Sequence, residues 1–193
     1  MIDHGMLIEA VLQANRKIFA MSDGSWLSDI AGEGYLVASI ADLIRSEWQL
    51  PVRLEMPYSK VGVATLGKAR ADICINPPNE AAGSKSVIIE VKRTWGKWGE
   101  DLKRIDVARN SDHIAQTAFV GFLAEKGDGV SAKQKQLLAE LEKEPAESDG
   151  WVRRASTCGP MPYLGSWDKW GLTEQKWNYG VLVVSYIRID HTS

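Results

Sequence analysis

The sequence predicts a mixed α/β fold (α+β mixed), in which a central mixed β-sheet is flanked by helices and carries a C-terminal β extension. Segments with apolar residues at helical spacing alternate with short β-branched runs, in the order α-α-β-β-β-α-β-α-β-β. The chain has 193 residues, of which 45% are hydrophobic and 25% charged, and this suffices for one domain with its own core. We therefore expect a single domain over 1–193, with its core at about 28–124.

Two helices are predicted before the first strand. Residues 6–21 have apolar side chains at the spacing of an amphipathic helix, and the polar run that starts at Ser22 ends it. A second helix over 28–50 begins at a Ser28 or Asp29 cap, and Pro51 ends it. Its apolar stripe consists of Ile30, Val37, Ile40, Ile44 and Trp48. Glu33 falls on this stripe. Burying an unpaired carboxylate is costly, so the simplest interpretation is that Glu33 lies at the exposed end of the stripe or caps the first turn.

Three strands are predicted next. Residues 52–58 alternate apolar and polar side chains, with a continuation at 61–66 after a turn. The short run 70–75 ends at the Asn-Pro-Pro-Asn breaker. Residues 86–92 are β-branched and apolar until charged residues appear at their end, which indicates a central strand that emerges into a polar site.

The remainder of the chain is predicted to continue with a short helix, a buried strand, a helix, a strand, a Gly/Pro-rich loop and a last strand. Their ranges are 99–110, 117–124, 131–144, 151–157, about 158–178 and 179–189. The chain holds eight tryptophans, and the last quarter contains Trp151, Trp167, Trp170 and Trp177. Core and rim packing is the favoured interpretation of these rings, with base stacking as the alternative.

Composition excludes several classes of protein. The net charge of −2 argues against a globally basic nucleic-acid coat, although it permits a local basic groove. Two cysteines are too few for a disulfide scaffold or a zinc ribbon. The N-terminus lacks a signal-peptide pattern, and the longest apolar run, 177–187, is shorter than the roughly 20 residues of a membrane helix. We therefore expect a cytoplasmic protein without a membrane partner.

Three charged residues stand at the ends of predicted strands. Glu90 and Lys92 share one face of 86–92 because they are two residues apart, and Asp72 lies beside Glu90 if 70–75 pairs with that strand. Converging carboxylates favour a cation between them, and oxygen ligands suit Mg²⁺. A nearby lysine can orient or deprotonate a water, or stabilise charge on a phosphate. This is the minimal equipment for metal-assisted phosphodiester hydrolysis.

Asp72, followed after 17 residues by Glu90-Val91-Lys92, resembles the motif of the PD-(D/E)XK nucleases, which share the restriction-endonuclease-like fold. The core of that family is a helix, three strands, a helix and a strand. The order predicted over 28–124 is similar, so the resemblance covers about half of the chain. Ala71 stands where the motif has proline, at a position that varies freely in the family.

The resemblance implies the roles of the site residues. Asp72 and Glu90 would bind Mg²⁺, with Mn²⁺ as a substitute, the backbone carbonyl of Val91 would assist, and Lys92 would handle the nucleophile. Many members place a glutamate on the first core helix, facing the metal, and Glu33 matches that position. The expected catalytic residues are therefore Asp72, Glu90, Lys92 and Glu33, and the expected metal ligands are Asp72, Glu90, Val91 and Glu33.

A locally basic strip follows the motif. Residues 92–109 hold six basic and three acidic side chains, whereas 125–149 hold four basic and seven acidic ones. A basic strip with interleaved aromatic rings can hold a phosphate backbone. The candidate nucleic-acid contacts are Arg93, Trp95, Lys97, Lys103 and Arg104. Alternatively, Lys103 and Arg104 coat the solvent face of a helix, and Trp95 and Trp98 cover the sheet edge.

Two functions from different classes follow. The first is a Mg²⁺-dependent nuclease that acts on nucleic acid, with DNA as the expected substrate and cleavage within the strand. The chain is too short for a large recognition domain, so loops, the tail, a homodimer or a partner subunit would supply specificity. The second is a catalytically inactive module of the same fold that binds or regulates a protein partner.

Overall fold

The computed structural model describes residues 1–21, 33–78, 85–92, 98–126, 129–164 and 176–189. The helices are α1 His4–Met21, α2 Glu33–Trp48, α3 Trp98–Ala108 and α4 Gly129–Glu142. The strands are β1 Val52–Pro57, β2 Arg70–Ile75, β3 Ser86–Lys92, β4 Ile114–Lys126, β5 Glu147–Ser148, β6 Trp151–Leu164 and β7 Lys176–Arg188. The predicted alternation of helices and strands is thus present.

The strands form one mixed sheet of seven, in the order β1-β2-β3-β4-β7-β6-β5. The first three strands form an antiparallel meander. Strand β4 lies parallel to β3, because α3 carries the chain back to the starting edge between them. Strands β6 and β7 pair antiparallel and extend the sheet beyond β4. The predicted mixed sheet is confirmed.

Apolar side chains cover both faces of the sheet, as the period of two along β3 requires. Val87, Ile89 and Val91 pack in a cluster with α1 and α2 on one face. Ile88 packs on the other face in a cluster that includes residues of α3 and α4. Glu90 and Lys92 continue the alternation of Ile88, so two charged side chains occupy positions that extend an apolar layer.

The predicted strand at 61–66 is wrong. Two 3₁₀ turns, Tyr58–Val61 and Ala64–Leu66, occupy this segment. Gly62 adopts φ 81° after the first turn and Gly67 adopts φ 56° after the second, a region that favours glycine. The valines that suggested an alternating strand are instead buried by the turns, where Val61 and Val63 pack in the cluster with α3.

The predicted loop after residue 157 begins later than expected. Strand β6 runs on to Leu164 through the Gly-Pro pair, and its register with β7 shifts between Cys158 and Met161. A bulge of this kind accommodates a proline, which has no N–H for the ladder. The short β5 was not predicted. Residues 22–32, with the expected cap of the second helix, lie outside the described residues, as do Trp167 and Trp170.

Candidate catalytic site

Asp72 and Glu90 meet across two antiparallel strands. Ile73 and Ile89 form the last pair of the ladder between β2 and β3. One residue further along, Asp72 lies opposite Glu90, close enough for the charge of Asp72 to raise the pKa of the Glu90 carboxyl group. The expected pairing of 70–75 with 86–92 is confirmed, and it brings the two carboxyl groups together.

The Glu90 carboxyl group is enclosed on one side by donors. Glu90 is 0% exposed, and its Oε1 accepts a hydrogen bond of 2.5 Å from the Tyr58 hydroxyl. The guanidinium of Arg104 lies 3.9 Å from the same oxygen. The other oxygen, Oε2, is buried and receives no hydrogen bond from a donor among the described residues. Burial and then the charge of Asp72 raise the pKa of Glu90 to about 9, although the Tyr58 bond acts against this shift.

The Asp72 carboxyl group is held by the backbone of the neighbouring strand. Its Oδ2 accepts a hydrogen bond of 2.7 Å from the N–H of Val91. Burial raises the pKa of Asp72, and the bond from Val91 opposes that effect. In the structure, the backbone N–H of Val91 therefore orients the Asp72 carboxyl group. Two carboxyl groups with raised pKa values in one partly closed site form an arrangement that a cation would stabilise.

Lys92 is bound by carboxylates from two helices. Its Nζ lies 2.9 Å from Oε1 of Glu33, at the first residue of α2, and 3.5 Å from Oδ2 of Asp101, in the first turn of α3. Burial lowers the pKa of Lys92, but the bond to Glu33 and the charge of Asp101 outweigh it, so the pKa is raised. Lys92 therefore carries a positive charge, which suits orientation of a nucleophile or contact with a phosphate rather than removal of a proton.

Glu33 reaches the site through Lys92. The sequence places Glu33 on the apolar stripe of the second helix, and the structure brings it to Lys92 at the end of β3. Its side chain is 34% exposed, so its carboxylate lies at the mouth of the site. The structure thus brings together Asp72, Glu90, Lys92 and Glu33, the residues that the sequence selected from different elements.

Two further site residues, Tyr58 and Asp101, carry no clear signal in the sequence. Tyr58 lies in the turn after β1. In the sequence it fits the alternating pattern of the strand predicted over 52–58, so nothing marks it as a site residue. Asp101 is 2% exposed, but an acidic residue in the first turn of a helix is common because it complements the helix dipole. The available signal was the position of Asp101 on the helix that directly follows the motif strand.

The candidate nucleic-acid contacts have different outcomes. Arg93, Trp95 and Lys97 lie outside the described residues. Lys103 is exposed on α3. Arg104 lies at the carboxyl groups, with its Nη1 2.8 Å from Oδ1 of Asp101 in addition to its approach to Glu90. The structure therefore places Arg104 at the edge of the acidic pair.

The oxygen donors of the site determine whether it can hold a divalent cation. The described residues contain no cluster of three or more His, Cys, Asp or Glu side chains arranged to hold a metal ion. Asp72 and Glu90 supply two carboxyl groups, and Oε2 of Glu90 is a buried oxygen without a donor within the described ranges. Mg²⁺ commonly binds through one or two carboxylates and keeps several waters, so this pair fits such an ion.

Comparisons with protein-family models, with curated proteins and with solved structures return no match. In the part of the chain that the structure describes, we find no helix with the length and apolar character needed to cross a membrane.

Proposed function

We propose that this chain is a metal-dependent nuclease that hydrolyses phosphodiester bonds in nucleic acid, with DNA as the expected substrate. The observation that carries the proposal is the convergence of Asp72 and Glu90 with the charged Lys92 at the ends of two adjacent strands. Two carboxylates and a cationic side chain at one site match the demands of metal-assisted phosphoryl transfer.

The order of elements supports a restriction-endonuclease-like core. A helix, α2, precedes an antiparallel meander of three strands, and α3 then leads to the parallel strand β4. This is the order that the resemblance to the PD-(D/E)XK nucleases implies. The motif residues fall on β2 and β3, as in that family. We include this core in the proposal.

Asp72 and Glu90 would hold the metal ion, Mg²⁺ or Mn²⁺, with the carbonyl of Val91 as an added ligand. When bound, the ion supplies Lewis-acid polarisation of the scissile phosphate and lowers the pKa of a bound water. In the proposal Glu33 holds Lys92 in place, because its Oε1 forms an ion pair of 2.9 Å with the Lys92 ammonium group.

Lys92 orients the nucleophile and contacts the substrate in this proposal. Glu33 and Asp101 fix its ammonium group from two sides, so its position is set before substrate binds. A pre-positioned charge is catalytically effective because it needs no reorganisation during the reaction. Tyr58 positions Glu90 and the Val91 N–H positions Asp72, so each carboxyl group keeps one fixed oxygen.

A cleavage assay tests the proposal. Supercoiled plasmid, linear duplex, single-stranded DNA and RNA are incubated with the protein in Mg²⁺, Mn²⁺ or EDTA. We expect cutting of at least one substrate that requires the metal and is lost in Asp72→Asn but kept in Asp106→Asn. Asp106 is a matched control because it is an exposed aspartate, paired with Arg109 on α3. Cutting that survives Asp72→Asn would contradict the proposal.

The second candidate is an inactive module of the same fold that binds a protein partner. Arg104 favours it, because this guanidinium already offers positive charge 3.9 Å from Glu90. Metal binding separates the two candidates: the nuclease binds Mg²⁺ or Mn²⁺ at millimolar concentration and loses that affinity in Asp72→Asn, whereas the inactive module binds neither ion. A homodimer or partner subunit stays a prediction, tested by sedimentation of the purified protein.

A further inference from the structure

An open groove of about 630 Å³ runs along β1, the edge strand of the sheet. We call it the β1 groove. Its charged lining consists of Arg53, Lys60 and Arg70 with a single acid, Glu55. All three basic residues are exposed, as is Leu54 at 43%. The groove is therefore a locally basic surface in a chain whose net charge is −2.

The β1 groove borders the acidic pair. The ladder between β1 and β2 pairs Leu54 with Ile73 and Met56 with Ala71, and it skips only the intervening position, where Glu55 lies opposite Asp72. Arg70 is two residues before Asp72 on β2, so both side chains are on the same face of the strand. The turn that follows β1 places Tyr58 on Glu90.

Backbone strain is located at the same point. Glu55 adopts φ 52°, which is uncommon for a residue other than glycine. Its carbonyl oxygen accepts a hydrogen bond of 3.2 Å from Nη1 of Arg70. Strained residues cluster at ligand-binding and active sites, where the surrounding structure maintains them. Here the strain interrupts the ladder at the one position that faces Asp72.

We propose that the β1 groove binds the sugar-phosphate backbone of the nucleic-acid strand that is cut at Asp72 and Glu90. This inference rests on the proposed nuclease function. The acidic pair repels a polyanion, and the three basic residues alongside it offset that repulsion and hold the strand in register. The three basic residues follow the edge β-strand, and this linear placement suits an extended polyanion. A nucleic-acid strand is such a polyanion, because its phosphates recur at regular intervals.

The inference is tested by binding without cleavage. The groove variant Arg53→Gln/Lys60→Gln/Arg70→Gln is compared with the control Lys17→Gln/Lys135→Gln/Lys143→Gln, which removes the same charge from exposed positions elsewhere. Both sets are made in Asp72→Asn, and fluorescence anisotropy follows a labelled single strand, the matching duplex and an RNA strand in EDTA over a range of salt.

We expect the groove variant to bind at least about tenfold more weakly than the control at low salt. Three lost phosphate contacts should make the negative slope of log K against log salt shallower, by about 2 for a single strand and about 2.7 for a duplex. Circular dichroism and thermal unfolding check that both variants fold. Lys60→Glu alone, at an exposed position, is a milder second variant that should also weaken binding.

Equal affinity and equal salt slope in the groove and control variants would overturn the inference. So would an acidic peptide, such as poly-glutamate, that binds the groove as tightly as nucleic acid. Failure of the nuclease function has a different signature. If the wild-type protein cuts no substrate but binds nucleic acid through the groove, the result supports the proposed binding surface and contradicts the proposed nuclease function. The groove variant is also made with Asp72 intact, and full cleavage by that protein supports the enzyme and overturns the surface.

Discussion

The Tyr58 hydroxyl donates a hydrogen bond of 2.5 Å to Oε1 of Glu90, and neither residue has exposed surface. The bond connects the turn after β1 with β3. Burial and then the charge of Glu90 raise the pKa of Tyr58, so the phenol keeps its proton at neutral pH. This contact fixes one oxygen of Glu90 and leaves Oε2, which has no hydrogen-bond donor in the described part of the chain, for the metal ion of the proposed enzyme.

Tyr58→Phe should weaken Mg²⁺ binding by about tenfold or more, because a hydrogen bond to a charged group contributes about 1.5–3 kcal/mol and about 1.4 kcal/mol is tenfold in affinity. Isothermal titration calorimetry measures the change. Tyr186→Phe is the matched control, since Tyr186 is also buried but lies on β7 beneath Arg109. Equal Mg²⁺ affinity in Tyr58→Phe and wild type would remove the positioning role.

Asp72→Asn should stabilise the metal-free protein while it abolishes cleavage. Burial raises the pKa of both carboxyl groups, and the charge of Asp72 raises that of Glu90 further. An amide in place of Asp72 removes that charge, keeps the bond with the Val91 N–H and adds a donor for Glu90. A gain of about 1 kcal/mol raises Tm by about 2–4 °C in a chain of this size. Thermal unfolding in EDTA measures it. A lower Tm than in wild type, with Asp106→Asn unchanged, would contradict this prediction.

Lys92→Ala should lower kcat by about 10²–10³, the loss found when one pre-positioned donor is removed from an active site. Its fold should persist, because Asp101 keeps its 2.8 Å ion pair with Arg104. Single-turnover cleavage measures the rate. Lys135→Ala, at an exposed position on α4, is the control and should retain full activity. A fully active Lys92→Ala variant would refute the assigned role of this lysine.

Gly121→Ala should destabilise the protein by about 1–3 kcal/mol through overpacking. A Cβ at Gly121 would overlap the rings of Trp98 and Phe119, which pack edge to face with their centroids 5.0 Å apart. Gly34→Ala is the control, because a Cβ at Gly34 meets nothing within 4 Å and alanine favours the helix. Urea unfolding of both variants tests the difference. Equal stability of the two variants would show that the core yields at Gly121.

His4 should make the fold less stable in acid. Its ring nitrogens lie 2.8 Å from Oγ of Ser185 and 3.0 Å from Oγ of Ser156, while Arg154 and Asp3 are the nearby charges. Burial and then Arg154 lower the pKa of His4 below 6.5. The unfolded chain therefore binds the proton more readily, and the stability that neutral His4 provides is lost as pH falls from about 6.5 through the lower folded pKa.

His4→Gln isolates this effect. We expect its free energy of unfolding to change less than that of wild type between neutral pH and pH of about 5, with a difference of at most about 1.4 kcal/mol per pH unit. Urea titrations at several pH values measure the difference. Parallel pH profiles for the two proteins would show that His4 does not titrate in this range.

Several elements could be predicted because their signals are local. Strands β2 and β3 match the expected 70–75 and 86–92, since β-branched runs bounded by breakers leave few alternatives. The segment 61–66 could not be predicted, because the φ of 81° at Gly62 is visible only in the folded chain. The length of β6 was underestimated for a similar reason: pairing with β7 outweighs the local effect of Gly159 and Pro160.

The sequence by itself determined the order of the helices and of every strand except the short β5, and it identified Asp72, Glu90 and Lys92 as charges at strand ends. These features follow from periodicity and residue type along a few neighbouring positions. Only the tertiary structure decided that Tyr58 and Asp101 join them, and that the edge strand carries a basic groove beside Asp72. Such contacts join residues far apart in the chain, so they depend on the register of the strands and the packing of the helices, which no local pattern contains.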